Sequence, residues 1–268
     1  MRCLLCLLAL LVAVPVVAQD SPLFPRFSVI GGAYSGRFDT TVRIDPDATE
    51  GAGTQVGFER DLGLERMKQL QQFRVQWRPL ARHELAATYF ASSRSGFRQI
   101  DRDIVFRNQS YPVSALVTTG FDLDYASLTY TYWARRSDRD GFGITLGAAA
   151  LSLDASVIAQ RADLTITASQ SAKTDVPVAL GGVQGRLAFT TKLLGEASVS
   201  ALPRVTIEGY TGRAVTANAR LEYRPVRWLG IGGAYNYFRL DVDVAQSDLT
   251  GAIGMRVQGP EAYVRLAF

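Results

Sequence analysis

The sequence predicts an all-β protein: an antiparallel transmembrane β-barrel of about ten strands, with eight or twelve as the alternatives. Three observations predict it. The last nine residues, Pro260 to Phe268, alternate, with Ala262, Val264, Leu266 and Phe268 apolar and Glu261, Tyr263 and Arg265 mostly polar between them. A period of two puts the two sets on opposite faces of a strand, and this is about the length a tilted strand needs to cross a bilayer. Ten such segments recur along the chain, several with full charges in mid-strand on the polar face. The connections between them tend to alternate between short and long, the pattern of a barrel with short turns on one side of a membrane and longer loops on the other.

The chain opens with Arg2 and an apolar run from Leu4 to Val17, closed by a small residue at Ala18. This is the form of a secretory signal peptide, which assigns 1–19 to export and 20–268 to the barrel domain. Cys3 and Cys6 lie inside the signal, so the mature chain is expected to have no disulfide and no thiolate chemistry. Without Arg2 the chain carries 28 basic and 25 acidic residues, a balance that argues against nucleic acid as a partner.

The strands follow in order. Phe27, Val29, Gly31 and Ala33 open the first, which continues to about Ile44. The second, Gln72 to Arg78, sets Phe73, Val75 and Trp77 against Gln72, Arg74, Gln76 and Arg78. The third runs from His83, the fourth carries Ala126, Leu128, Tyr130 and Tyr132, and the fifth Phe142, Ile144, Leu146 and Ala148. Val183, Leu187 and Phe189 mark the sixth, Ala197 to Ile207 the seventh, Val215 to Tyr223 the eighth and Leu229 to Tyr237 the ninth. Buried in a soluble sandwich, the mid-strand charges of the seventh and eighth would be prohibitively costly. In a lipid-embedded barrel the polar face lines the lumen instead.

The short connections are Pro79 to Arg82, Arg135 to Gly141, Thr190 to Gly195 and Pro225 to Arg227; 45–71, 101–119 and 157–176 read as long loops, and 210–213 and 244–250 as brief ones. Trp77, Trp133 and Trp228 each lie within a few residues of a short turn, which predicts an aromatic girdle at the periplasmic interface. Loop one carries Asp45, Asp47, Glu50, Glu59, Asp61 and Glu65. Their spacing matches no divalent-cation motif, so a solvated hairpin is expected there, and no cofactor or metal site is assigned.

The terminal strand, with Tyr263, Val264, Leu266 and Phe268 at its end, resembles the insertion signal of Gram-negative outer-membrane β-barrels. The stretch from Gly53 to Leu64 resembles segments of uncharacterised proteobacterial outer-membrane proteins. The resemblance is to the small OmpA/OmpW-like class. It implies an outer-membrane location with both termini periplasmic, and as partners membrane lipids, lipopolysaccharide and the barrel assembly machinery. Enzymes of this kind generally use a histidine near the outer leaflet. The single histidine, His83, sits instead at the periplasmic end, some 30 Å of strand from Ser92 and Ser93, so no catalytic residue is expected.

Two features of the lumen remain. Parity turns Arg74, Arg78, Arg186, Arg204, Arg220, Arg224 and Arg265 inward with Glu84, Glu196, Glu208, Glu222 and Glu261. Mixed signs in a narrow barrel predict a network that fills the interior, with an anion-conducting pore as the alternative. Higher on the strands the inward face becomes apolar: Phe38, Phe121, Leu123, Leu151, Leu153, Phe238 and Leu240, flanked outside by Arg37, Asp39, Asp122, Asp124, Asp154, Arg239 and Asp241. Bulges at the rim, for example at Gly259 and Pro260, would rotate these residues outward. The economical account is a barrel that continues above the membrane, wet outside and apolar inside. Its upper lumen is then a packed core or, as in barrels resembling OmpW, a pocket for a small apolar ligand. The function expected is a structural or surface-interaction barrel with a largely plugged lumen; the alternative is a narrow channel or carrier for small molecules.

Overall fold

The computed structural model describes residues 21, 23–45, 54–99, 104–106, 109–111, 116–160, 166–207, 210–245 and 250–268. The expected signal peptide lies outside these residues. In chain order the elements are β1 (Phe27–Ile44), β2 (Val56–Gly57), the single turn α1 (Phe58–Asp61), β3 (Met67–Leu80), β4 (His83–Gln99), β5 (Ile104–Phe106), β6 (Gln109–Tyr111) and β7 (Leu116–Arg136). They continue with β8 (Asp140–Gln160), β9 (Ile166–Ala188), β10 (Leu193–Ile207), β11 (Tyr210–Val226), β12 (Leu229–Ala245) and β13 (Thr250–Ala267).

The main sheet is antiparallel and has eleven strands, and β13 returns to β1 to close it, from Ser28↔Ala267 to Ile44↔Gly251. Ten long strands make the ring, and the two-residue β2 is bonded to the upper part of β1. Across the apolar zone closure leaves no edge exposed; above it the β9–β10 ladder ends at Ala201↔Gly181, although β9 begins at Ile166. Backbone groups within the ring are therefore satisfied by neighbouring strands, the condition a sheet must meet to cross lipid.

Several strands run further than their alternation marks. β7 and β8 are paired up to Leu116↔Gln160, and β8 and β9 up to Gln160↔Ile166. The expected long loop at 157–176 is thus mostly strand. Its sequence around Ser169, Gln170 and Ser171 is polar without alternation, because an outer face in water no longer demands apolar residues. The stretch read as loop 101–119 contains the small β5–β6 hairpin, and β7 begins before its end.

The ladders pass straight through the level where the inward face changes character. β12 and β13 stay in one register from Leu229↔Leu266 to Ala245↔Thr250, through Tyr235↔Pro260 and Asn236↔Gly259. Gly259 and Pro260 form no bulge, and the same residues face inward from end to end. Glycine is required at 259 for another reason: a Cβ there would lie 2.0 Å from the Ser35 carbonyl oxygen.

The outer surface has two zones. Below, Phe73, Val75, Leu128, Tyr130, Ile144, Leu146, Val183, Val199, Leu221, Tyr223, Ile231 and Val264 are exposed. On β11 this apolar zone spans Val215 to Tyr223, about 26 Å of strand at roughly 3.3 Å per residue. Above it, Asp122, Asp124 and Asp154 are exposed instead. A tall apolar band on the outside of a closed sheet is what a bilayer requires.

Candidate functional site

The inside of the barrel is where its chemistry lies, and it is layered. At the lower end the residues preceding β1 fold into the lumen. Phe24 is fully buried, its ring edge-on to Trp133 at 4.9 Å, and Leu23 and Leu194 complete a small apolar floor. Arg78 Nη2 donates to the Phe24 carbonyl at 2.6 Å, fixing this segment to the wall.

The charge network rests on that floor. Arg186 donates to both oxygens of Glu84, at 2.6 and 2.9 Å, and through Nε to Glu196 at 2.9 Å. Its guanidinium also lies 4.5 Å from the Trp133 ring centre. Glu222 accepts from Arg224 at 2.6 Å and from the Tyr263 hydroxyl, and lies 3.2 Å from Arg265. Glu261 accepts from Asn236 and Gln72. Arg74, Arg220 and Arg265 each approach Glu196 at 3.9 Å. The short bonds of Arg186 to Glu84 and Glu196 and of Arg224 to Glu222 are of the kind that lets buried ions repay their desolvation, whereas Nη1 and Nη2 of Arg220 have no hydrogen-bond partner.

Two of the expected members need comment. Arg204 does not face the lumen: it is exposed and paired with Asp243 on the outside at 3.0 Å. The β10–β11 register shifts by one residue between Leu202 and Val205, and a one-residue shift turns the following side chains to the other face. Glu208 lies outside the described residues.

Above the network is a cavity of about 140 Å³. Arg74, Gln72, Gln184, Glu196 and Asn218 line its polar part, and Tyr34, Phe90, Tyr125 and Phe238 its apolar part. The aromatic side is itself packed, with Phe90 stacked on Tyr125 at 4.8 Å and Tyr125 edge-on to Phe238 at 6.1 Å.

Higher still, Phe38, Phe121, Leu123, Leu151, Leu153 and Leu240 are buried in one cluster, with Phe238 packed against its lower side. The segment from Val56 to Leu64 packs into this cluster through Val56, Phe58, Leu62 and Leu64. The solvated hairpin expected for this part of loop one is therefore a buried strap. Apolar residues spaced through an acidic stretch were the overlooked signal. The upper lumen is a packed core and not an open pocket.

The strap closes a gap in the wall. β4 runs to Gln99, but its ladder with β3 begins only at Gln72↔Phe90. Across the gap β2 pairs with β1 and Leu64 bridges to Gly96. A Cβ on Gly96 would meet the Gly63 backbone at 2.6 Å, and Gly63 itself has φ +73°, so both positions need glycine. Arg94 locks the strap, donating to Glu59 at 2.6 Å with both side chains buried. Its guanidinium lies 4.0 Å from the Phe38 ring centre and 5.1 Å from that of Phe121.

The lower rim corrects another expectation. Trp77 and Trp228 are half exposed on the outer surface, as a girdle requires, but Trp133 is fully buried in the floor. It shares parity with Thr131, which faces inward, so its place was readable from the strand that carries it. Tryptophans left singly in lipid vesicles should divide accordingly. Lipids brominated near the headgroup should quench Trp77 and Trp228 strongly and Trp133 weakly; strong quenching of Trp133 would place it on the wall. His83 faces outward, its Nδ1 2.6 Å from the Tyr130 hydroxyl. In the terminal strand Val264, Leu266 and Phe268 are exposed outward and Tyr263 is buried inward, and the Phe268 backbone pairs with Phe27.

No family model matches the chain, and no curated protein matches it. Among solved structures it is similar to the outer membrane protease OmpT of Escherichia coli, with a TM-score of 0.61 at 9% identity, over 94% of this chain and 99% of that one. The chain has the fold of a small Gram-negative outer-membrane β-barrel. Weaker likenesses are to the transport unit of the autotransporter AIDA-I of Escherichia coli, at TM-score 0.42 and 8% identity over 97% and 94% of the chains. The toluene transporter TodX of Pseudomonas putida follows, at TM-score 0.35 and 9% identity over 94% and 91%. Barrels of this architecture carry unrelated tasks, so the function must be read from the lumen.

Proposed function

We propose that this barrel has a structural or surface-interaction role in the outer membrane, is not an enzyme, and has a lumen closed to solute flow. One observation carries the reading: protein fills the lumen at two levels, the Leu23–Phe24 floor with its charge network and the strap-filled upper core. The non-enzymatic reading is supported by the position of the single histidine, outward and at the end away from the strap.

In this proposal residues 1–19 are removed on export, and the short turns and both termini are periplasmic. The terminal strand, with Tyr263, Val264, Leu266 and Phe268, is read by the assembly machinery. Lipid covers the apolar band, and lipopolysaccharide meets its upper rim. The cavity between the two fillings favours a second reading, a carrier for small molecules.

Planar-bilayer recording discriminates between them. The purified barrel should be silent at either polarity, because an ion would have to cross both fillings. Steady single-channel steps would overturn the closed lumen and favour transport.

A further inference from the structure

The first charged residue met on the outer face above the apolar band differs in sign between two sides of the barrel. It is an aspartate on three adjacent strands, Asp124 of β7, Asp154 of β8 and Asp175 of β9. On four other adjacent strands it is an arginine: Arg213 of β11, Arg239 of β12, Arg256 of β13 and Arg37 of β1. Each side holds two like charges directly opposite one another, Asp122↔Asp154 and Arg239↔Arg256. Such pairs disfavour the strand pairing unless an opposite charge comes close. The chain supplies part of that compensation, since Asp241 accepts from Arg213 at 2.9 Å and from Arg239 at 2.8 Å. Lys173 stands opposite Asp154, and Asp39 opposite Arg256, without closing an ion pair. Among the described residues Asp122, Asp154, Arg37 and Arg256 form no ion pair at all.

We propose that the two rows are the halves of one interface, through which copies of this chain line up side by side in the membrane. Copies in one membrane share their orientation and are held at one depth by the apolar band, so the aspartate row of one meets the arginine row of the next. Four long strands separate β8 from β13 in either direction around the ring, which puts the rows on opposite sides. The contact is therefore heterologous and repeats in a line rather than closing a dimer. Lipid phosphates would suit the arginines but be repelled by the aspartates, whereas a second copy answers both rows. The proposal rests on the surface-interaction reading and names the partner.

The test uses the whole barrel, expressed from residue 20 so that Cys3 and Cys6 are left out, in phosphatidylcholine vesicles with divalent cations chelated. Ser152→Cys and Gln258→Cys replace uncharged outward residues one outward position below Asp154 and Arg256. The two variants mixed in one vesicle should be joined by a short bis-maleimide about ten-fold more than either alone, the factor that a few exposed ion pairs reach together. Roughly 1 M salt, which screens exposed charges within about 3 Å, should remove the excess. Asp154→Arg with Asp175→Arg should abolish it, and adding Arg239→Asp with Arg256→Asp in the same chain should restore it, with heat-modifiable migration kept throughout. Equal joining of mixed and single preparations would overturn the proposal, as would an excess unchanged by salt or by the reversal. Joining that appears only when divalent cations or an acidic phospholipid are supplied would assign the rows to lipid headgroups and overturn it equally. Should a reversed chain not fold, the mixed-against-single comparison and its salt dependence still decide. Conductance does not enter, so loss of this contact leaves the closed lumen standing, and channel steps would leave this contact standing.

Discussion

Glu59→Ala should open the strap. The substitution leaves Arg94 charged, buried and without its carboxylate, between the rings of Phe38 and Phe121. Breaking a buried ion pair from one side costs about 3–5 kcal/mol. The structure relieves that cost by loosening the strap, whose other ties to the wall are the short β2 pairing, the bridge at Leu64 and the hydrogen bonds from Phe38 N to the Arg66 carbonyl and from Arg98 to the Arg60 carbonyl. Trypsin should then cut near Arg60 and Arg66 much faster than in the parent barrel, without loss of the ring itself. Replacing both partners, Glu59→Leu with Arg94→Leu, should restore most of the protection, because an apolar pair of similar volume leaves no orphaned charge. Equal cleavage of parent and Glu59→Ala would mean that the ion pair does not hold the strap.

Leu240→Ala should show the second large effect. Leu240 is 2% exposed in the upper core, and truncating a buried leucine costs about 2–5 kcal/mol through lost burial and the cavity left behind. Its neighbour Arg239 lies on the outside, bonded to Asp241 at 2.8 Å. Exposed pairs of this kind contribute about 0–1 kcal/mol, so Arg239→Ala should be nearly silent. Urea unfolding of the two variants in the same micelles gives the contrast. Similar midpoints would mean that the upper lumen is not a packed core.

The ring, its ten long strands and its inside-out polarity were legible because lipid outside and charge inside impose alternation on every membrane-crossing stretch. The continuation above the membrane was legible too, since Phe121 and Leu123 keep the parity of Thr129 and Thr131 while Asp122 and Asp124 keep that of Leu128 and Tyr130. Three things were not. Alternation fades where both faces are polar, which hid the upper parts of β8 and β9. Arg204 was misplaced by a register slip that leaves no mark in polarity. The floor and the strap are irregular segments whose burial depends on the barrel around them. Leu23, Phe24, Phe58 and Leu62 carry no periodicity that announces a lumen, and the cavity between floor and strap follows from both.

The outside of the wall passes from lipid to water while its inside passes from charge to a packed apolar core. Single cysteines at Asp122, Leu123, Asp241 and Leu240 test it most directly, in a chain expressed from residue 20 so that Cys3 and Cys6 are left out. A bulky aqueous maleimide applied to the folded barrel should label Asp122→Cys and Asp241→Cys rapidly, and Leu123→Cys and Leu240→Cys far more slowly. Fast labelling at all four positions would contradict the account and reduce the upper barrel to mobile loops.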